Sequence, residues 1–282
     1  MLLAACLLGT LLAGCNGVAV VGFSLPFLRS PLDSGATTIW SVDVHVEDSP
    51  GLAVLEDIHN RLHAGMIRIY YDPGLGNAFY DTLVANAAAT HLAIDFITPY
   101  PAPPYDPVAY GKAAGIAALR YAGKKLTWEL INEPDYYVSA MTQQQCIAIE
   151  IAAAKAIRSA DRSATILTGG TSGKDANTGF TYAIAVGQAL APYVTGVGLH
   201  PYGVAPSAFA SAVALISIAT HKPAYITEWS TSDASDLTEA MIASRGFTRM
   251  FDAYDYKNEP GDPNYGLIDN GLWMNFAMEA TP

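Results

Sequence analysis

The chain alternates between two hydrophobic periods, and that alternation limits its fold more than any other feature. From about residue 38 onward, short apolar or β-branched runs are followed each time by longer stretches rich in Ala, Ile and Leu. The short runs read as strands over 38–46, 66–71, 91–98, 126–132, 165–169, 194–200, 224–228 and 247–256. The intervening stretches read as helices over 52–63, 76–89, 107–121, 142–159, 179–190, 206–219, 237–245 and 270–280. Eight β–α alternations in about 245 residues (282 − 37) match the size of a single-domain α/β (βα)8 barrel. A doubly wound sheet also alternates, so the count alone does not choose between them. No internal repeat, low-complexity tract or linker divides the chain, which places the barrel domain at 38–282.

Two of the strand-like runs end in a glutamate. Trp128-Glu129-Leu130-Ile131-Asn132-Glu133-Pro134 is one, and Ile226-Thr227-Glu228-Trp229-Ser230 follows 95 positions later (228 − 133). A parallel strand that breaks its pattern at a carboxylate delivers that carboxylate to the C-terminal rim of a barrel. Two carboxylates facing one cleft are the minimal equipment for splitting a glycosidic bond. One protonates the leaving oxygen, and the other attacks the sugar carbon or activates a water. The acid must be protonated at rest and the nucleophile ionised, and two close carboxylates push each other in those opposite directions.

The Asn132-Glu133-Pro134 and Thr227-Glu228-Trp229 motifs, ending the fourth and seventh strands, resemble the retaining glycoside hydrolases of clan A. The likeness extends to Arg68 in Ile67-Arg68-Ile69 and to Gly198-Leu199-His200-Pro201-Tyr202. It implies a TIM barrel that cleaves β-glycosidic bonds of an oligo- or polysaccharide by double displacement, with Glu133 as acid/base and Glu228 as nucleophile. It implies substrate-site roles for Arg68 beneath the nucleophile and Asn132 at the sugar 2-hydroxyl. His200 and Tyr202 would line the floor, and Trp229 would either stack on sugar or pack behind its strand. Arg68 also reads as a structural ion pair inside the barrel, with Glu129 as its partner. The clan often places a tryptophan at the end of the eighth strand, but this chain has Met250-Phe251-Asp252-Ala253-Tyr254-Asp255-Tyr256 there, with Tyr254 as the candidate substitute.

The chain begins with thirteen nearly all apolar, uncharged residues leading to Leu12-Ala13-Gly14-Cys15. That run is too short to span a bilayer and has the length of a signal-peptide core. It resembles the bacterial lipoprotein signal, with 1–14 removed, Cys15 lipidated and 15–37 a tether and N-terminal extension. This implies a lipid-anchored protein of the cell envelope. A buried first element of the fold is the alternative, and no Lys or Arg follows Met1. Loss of Cys6 with the signal and lipidation of Cys15 would leave Cys146 alone, a small packing residue without a disulfide partner. The net charge of −11 excludes electrostatic attraction to nucleic acid or to an anionic membrane surface.

Other chemistries fit less well. A metal-dependent barrel hydrolase wants His-x-His on the first strand, where Val42-Asp43-Val44-His45-Val46 offers one histidine. Gly169-Gly170-Thr171-Ser172-Gly173-Lys174-Asp175 misses the spacing of a phosphate loop and reads as a turn after strand 5 on the active face. The expectation is therefore a glycosidase with no metal or organic cofactor and a carbohydrate partner. The alternatives are a non-catalytic carbohydrate-binding surface lipoprotein and the metal-dependent hydrolase. Sugar, linkage and oligomeric state are not legible in the sequence.

Overall fold

The computed structural model describes residues 37–136, 141–172, 176–259 and 264–281. Residues 1–36, which hold the expected signal, Cys15 and all but the last residue of the expected tether, lie outside the described residues. The eight strands are β1 (Ile39–Asp43), β2 (Met66–Tyr70), β3 (Ala93–Ile97), β4 (Thr127–Glu129), β5 (Thr165–Leu167), β6 (Val197–Leu199), β7 (Ala224–Trp229) and β8 (Met250–Ala253). The helices between and after them are α1 (Leu52–Asn60), α2 (Asn77–Ala89), α3 (Pro107–Arg120), α4 (Gln143–Ala160), α5 (Ala176–Leu190), α6 (Phe209–Thr220), α7 (Ala234–Ser244) and α8 (Trp273–Ala280).

All pairings are parallel, in the order β5-β4-β3-β2-β1-β8-β7-β6. The two ends meet through the bridges Leu167↔Gly196 and Thr171↔Leu199, so the sheet closes on itself. This decides between the two architectures left open by the alternation: the chain is a single-domain (βα)8 TIM barrel. β8, the least regular stretch by pattern, pairs with both β1 and β7 and joins the two halves. It is shorter than its predicted span, and α5 and α7 each start three residues earlier than predicted. At α7 the Asp233 carboxylate accepts from the backbone N–H of Ser235 and Asp236, which caps the helix upstream of its apolar face.

Alternation along the strands sorts side chains into two layers. Outward go Val42, Ile67, Ile69, Ile94, Phe96, Trp128, Ile166, Val197, Leu199, Ile226 and Phe251, all buried against the helices. The opposite positions include Ser41, Asp43, Arg68, Asp95, Thr127, Glu129 and Asp252, all buried. The barrel interior is thus largely polar, where branched apolar side chains usually dominate. The Ala-rich helices pack closely on one another as well as on the sheet. Gly111 and Gly115 of α3 face Ala152 and Ala156 of α4, and a Cβ at Gly111 would lie 2.9 Å from the Ala152 carbonyl oxygen.

Phe251 ties the outer layer to β8, edge-on to Trp40 at 5.9 Å and to Trp229 at 6.2 Å. Phe251→Ala should destabilise the fold by about 3–5 kcal/mol, read as a lower denaturant midpoint at unchanged slope.

Candidate active site

Arg68, at the centre of β2, is fully buried and organises the site. Its Nε donates to Glu129 Oε2 at 2.7 Å. Nη1 donates to Asp43 Oδ2 at 2.5 Å and Glu228 Oε2 at 2.7 Å. Nη2 donates to Glu129 Oε1 at 3.3 Å and Asn132 Oδ1 at 2.6 Å. The five N–H groups of a guanidinium are all engaged, on side chains from β1, β4, β7 and the turn after β4. The Arg68–Glu129 ion pair expected from sequence is present, and Arg68 reaches Glu228 in the same grip.

Glu228 owes its position to a bulge in β7. Ile226 pairs with Phe251 and Trp229 with Ala253, so three steps along β7 oppose two along β8. The extra residue lets Thr227 and Glu228 both turn to the interior, Thr227 Oγ1 donating to Glu129 Oε1 at 3.1 Å. The same shift returns Trp229 to the outer layer, edge-on to Phe209 at 5.2 Å. Trp229 does not line the cleft, which corrects its placement among the substrate-site candidates. It packs behind β7 because the bulge restores the alternation one residue after Glu228.

Glu133 sits in the turn after β4 with φ +40, a left-handed conformation that costs a non-glycine residue about 1–3 kcal/mol. Its N–H donates to the Gly170 carbonyl at 2.8 Å, and its own carbonyl accepts from Tyr136 N–H at 2.9 Å. Gly170 has no room for a side chain, since a Cβ there would collide with His200 Nε2 and Thr227 Oγ1. The close approach lets Gly170 N–H reach Glu129 Oε1 at 2.9 Å while its carbonyl holds Glu133. The stretch after β5 is therefore a structural turn beneath the site, locked further by Ser172 N–H and Oγ donating to Asp135.

His200 and Tyr202 follow β6. His200 is fully buried, with Nδ1 3.0 Å from Glu133 Oε1 and 3.9 Å from Glu228 Oε2. Tyr202 Oη donates to Glu228 Oε1 at 2.8 Å. Asn132, its Oδ1 taken by Arg68, directs Nδ2 towards Tyr100 Oη at 3.4 Å. The site opens into a cleft of about 880 Å³ lined among others by Asp43, His45, Tyr70, Tyr100, Tyr254 and Tyr265. Tyr254 is therefore in the cleft, edge-on to His45 at 5.6 Å. Arg68, Asn132, Glu133, Tyr202, Glu228 and Tyr254 line one cleft, with His200 beneath it. Sequence reasoning missed Asp43, weighed only within a failed metal pattern, and Gly170, whose signal was the glycine pair itself.

The oxygens of Glu133 and Glu228 and a nitrogen of His200 lie within 4.8 Å of one another, close enough to hold a cation, as do atoms of His45, Asp255 and Glu259 at the rim. In the first group, the Tyr202, Arg68 and His200 donors already occupy Glu228 and Glu133, an arrangement suited to proton and carboxylate chemistry. Burial pushes the Glu228 carboxyl upward, but the His200 and Arg68 charges and the Tyr202 hydroxyl outweigh it and hold it below the usual range. Burial likewise opposes charge on His200, yet Glu228, Glu129 and Glu133 raise it to about 10. Burial is also outweighed at Glu129, where Arg68 and His200 bring the carboxyl down to about 2.

No protein-family model matches the chain, and no curated protein sequence matches it. Solved structures do match in fold. A glucosidase from Croceicoccus marinus aligns with TM-score 0.62 at 16% identity, over 80% of this chain and 62% of that one. A GH30 endoxylanase from Clostridium papyrosolvens C71 aligns with TM-score 0.62 at 13% identity, over 88% and 73%. A β-mannanase from Thermomonospora fusca aligns with TM-score 0.60 at 17% identity, over 81% and 82%. The chain thus spans less than two thirds of the glucosidase, and at these identities the likeness is one of fold.

The charges set a pH dependence of stability. His200, raised from 6.5 to about 10, contributes fully below pH 6.5, and its contribution is lost as pH rises through about 10. Glu129, lowered from 4.5 to about 2, contributes above pH 4.5 and loses its contribution as pH falls through about 2. Thermal unfolding of His200→Asn should show a shallower decline in Tm between pH 6.5 and 10 than the native chain, and a weaker acid limb below pH 4.5, where Arg68 alone then holds Glu129 down. An unchanged alkaline limb would show that His200 is neutral in the fold.

Proposed function

We propose that this protein is a retaining glycoside hydrolase that cleaves β-glycosidic bonds, with Glu133 as acid/base and Glu228 as nucleophile. The observation that carries this reading is the approach of the Glu133 and Glu228 carboxylates to within 4.8 Å inside one cleft. Retaining enzymes hold their carboxyl groups about 5–5.5 Å apart, whereas inverting enzymes leave room for a water between them. The structural likeness to a glucosidase, an endoxylanase and a β-mannanase supports the same class of substrate.

The surroundings support this division of the steps. Glu228 is kept ionised by Arg68 and His200, and Tyr202 orients its Oε1. Glu133, held by His200 Nδ1 at 3.0 Å and facing the cleft, protonates the leaving oxygen. Attack by Glu228 forms a glycosyl ester and removes its negative charge. The ester no longer supports the charge on His200, and Glu133, now deprotonated, takes a proton from the incoming water, whose oxygen displaces Glu228. Asn132 Nδ2 faces the cleft as a donor for the sugar 2-hydroxyl, a contact that strengthens in the transition state. Tyr100 and Tyr254 offer ring surfaces for sugar faces.

We also propose that Cys15 carries a lipid that anchors the barrel at the cell envelope. The support is the Leu12-Ala13-Gly14-Cys15 tetrapeptide behind an apolar leader. Expression in a bacterium with labelled fatty acid should label the native chain and leave Cys15→Ser unlabelled and released from the membrane fraction.

A hydrolysis screen on aryl β-glycosides and on xylan, mannan and β-glucan tests the enzymatic reading. Glu228→Gln should lose turnover by about 10³-fold or more, with binding kept. Glu133→Gln should lose less on aryl glycosides, whose leaving groups need little protonation. Activity surviving in both variants would remove these two glutamates from the mechanism, and binding without turnover in the native chain would make the protein a carbohydrate-binding barrel.

A further inference from the structure

A third carboxylate opens on the cleft beside the nucleophile. Asp43, at the end of β1, is 4% exposed and lines the cleft next to Glu228. Its Oδ2 shares Arg68 Nη1 with Glu228 Oε2, at 2.5 and 2.7 Å. Its Oδ1 accepts from none of the described residues. The oxygens of Asp95 and Asp252, by contrast, lie sealed in the barrel interior, away from the cleft. Asp43 therefore presents one free acceptor to whatever fills the floor of the cleft.

The rest of the lining sharpens what that acceptor selects. Among the described lining residues, Glu47, Asp72, Glu133 and Glu228 add four more acids, and the basic side chains are Arg68 and His45. Arg68 has no N–H left to give. His45 lies 3.8 Å from both Asp255 and Glu259, so any positive charge on it is already matched. A uronate or sulfate entering this cleft meets acceptors and like charge with no uncommitted cation among the described lining residues, which is the repulsive half of specificity. A group that only donates meets the opposite.

Building on the glycosidase reading, we propose that Asp43 is a substrate-binding carboxylate for donor groups of the sugar, paired hydroxyls or a primary ammonium. The cleft accordingly takes uncharged or amino-bearing glycans and turns away acidic ones.

The test uses the full chain and one backbone in three forms: β-1,4-linked oligosaccharides of glucose, glucosamine and glucuronate. Their 4-nitrophenyl β-monosaccharides serve for rates. Binding to Glu228→Gln, measured by calorimetry, should favour the glucose or glucosamine form over the glucuronate form by about tenfold or more, the preference shrinking at high salt. In the wild type, kcat/KM should rank the same way. Asp43→Asn should raise KM by about tenfold for the favoured sugar, a larger factor than any accompanying fall in kcat. A fall in kcat at constant KM would show that Asp43 acts only through Arg68 and Glu228, and would overturn the binding role. Equal or tighter binding of the glucuronate form would overturn the charge selection, and absence of binding to all three would overturn both. Selective binding without wild-type turnover would keep this inference and sink the glycosidase reading.

Discussion

The engagement of every N–H of Arg68 is the interaction on which the site depends. A buried guanidinium is tolerable only when its charge is matched and its donors are filled. Arg68 meets both conditions with three carboxylates and an amide drawn from different strands and a turn. The arrangement works in both directions. Arg68 is held rigid by Glu129, Asp43 and Asn132, so it can in turn hold Glu228 ionised and fixed. His200 supplies the second positive charge from the far side, between Glu129, Glu133 and Glu228. The polar barrel interior is the foundation of this network, which explains why apolar side chains crowd the outer face of the strands and are scarce inside.

Precise placement comes from irregularities in an otherwise regular barrel. A strict alternation along β7 could not aim both Thr227 and Glu228 inward, and the bulge makes room for both. A side chain at Gly170 would push His200 away from Glu133. The left-handed turn at Glu133 is strained, and the Gly170 carbonyl and Tyr136 N–H hold it in place. Strain of this kind persists where surrounding contacts over-determine it, as they do here.

Much of this was legible in the residues. The two-period alternation implied eight strands and eight helices, and all sixteen elements are present. Asn132, Glu133, His200, Tyr202 and Glu228 share one site because each lies at or beyond the end of a parallel strand, and the C-terminal ends of those strands converge, while Arg68 reaches them from the centre of β2. Tyr254 lies in the cleft for the same reason. The Trp229 placement was not legible, because a neighbour of a catalytic-looking residue faces inward or outward according to a bulge that has no sequence signature. Asp43 was overlooked because one aspartate on a strand carries no pattern. Its importance arises from Arg68, 25 residues away (68 − 43).

The amino-acid sequence by itself determined the element order and the size class and pointed to two carboxylates at strand ends, because these follow from local hydrophobic period and from where each apolar run breaks. Tertiary structure alone decided that the sheet closes into a barrel rather than staying open, through bridges between β5 and β6. It also decided which charges meet. The state of a buried carboxylate depends on the desolvation and neighbouring charge brought by other strands, and those quantities exist only once the chain has folded.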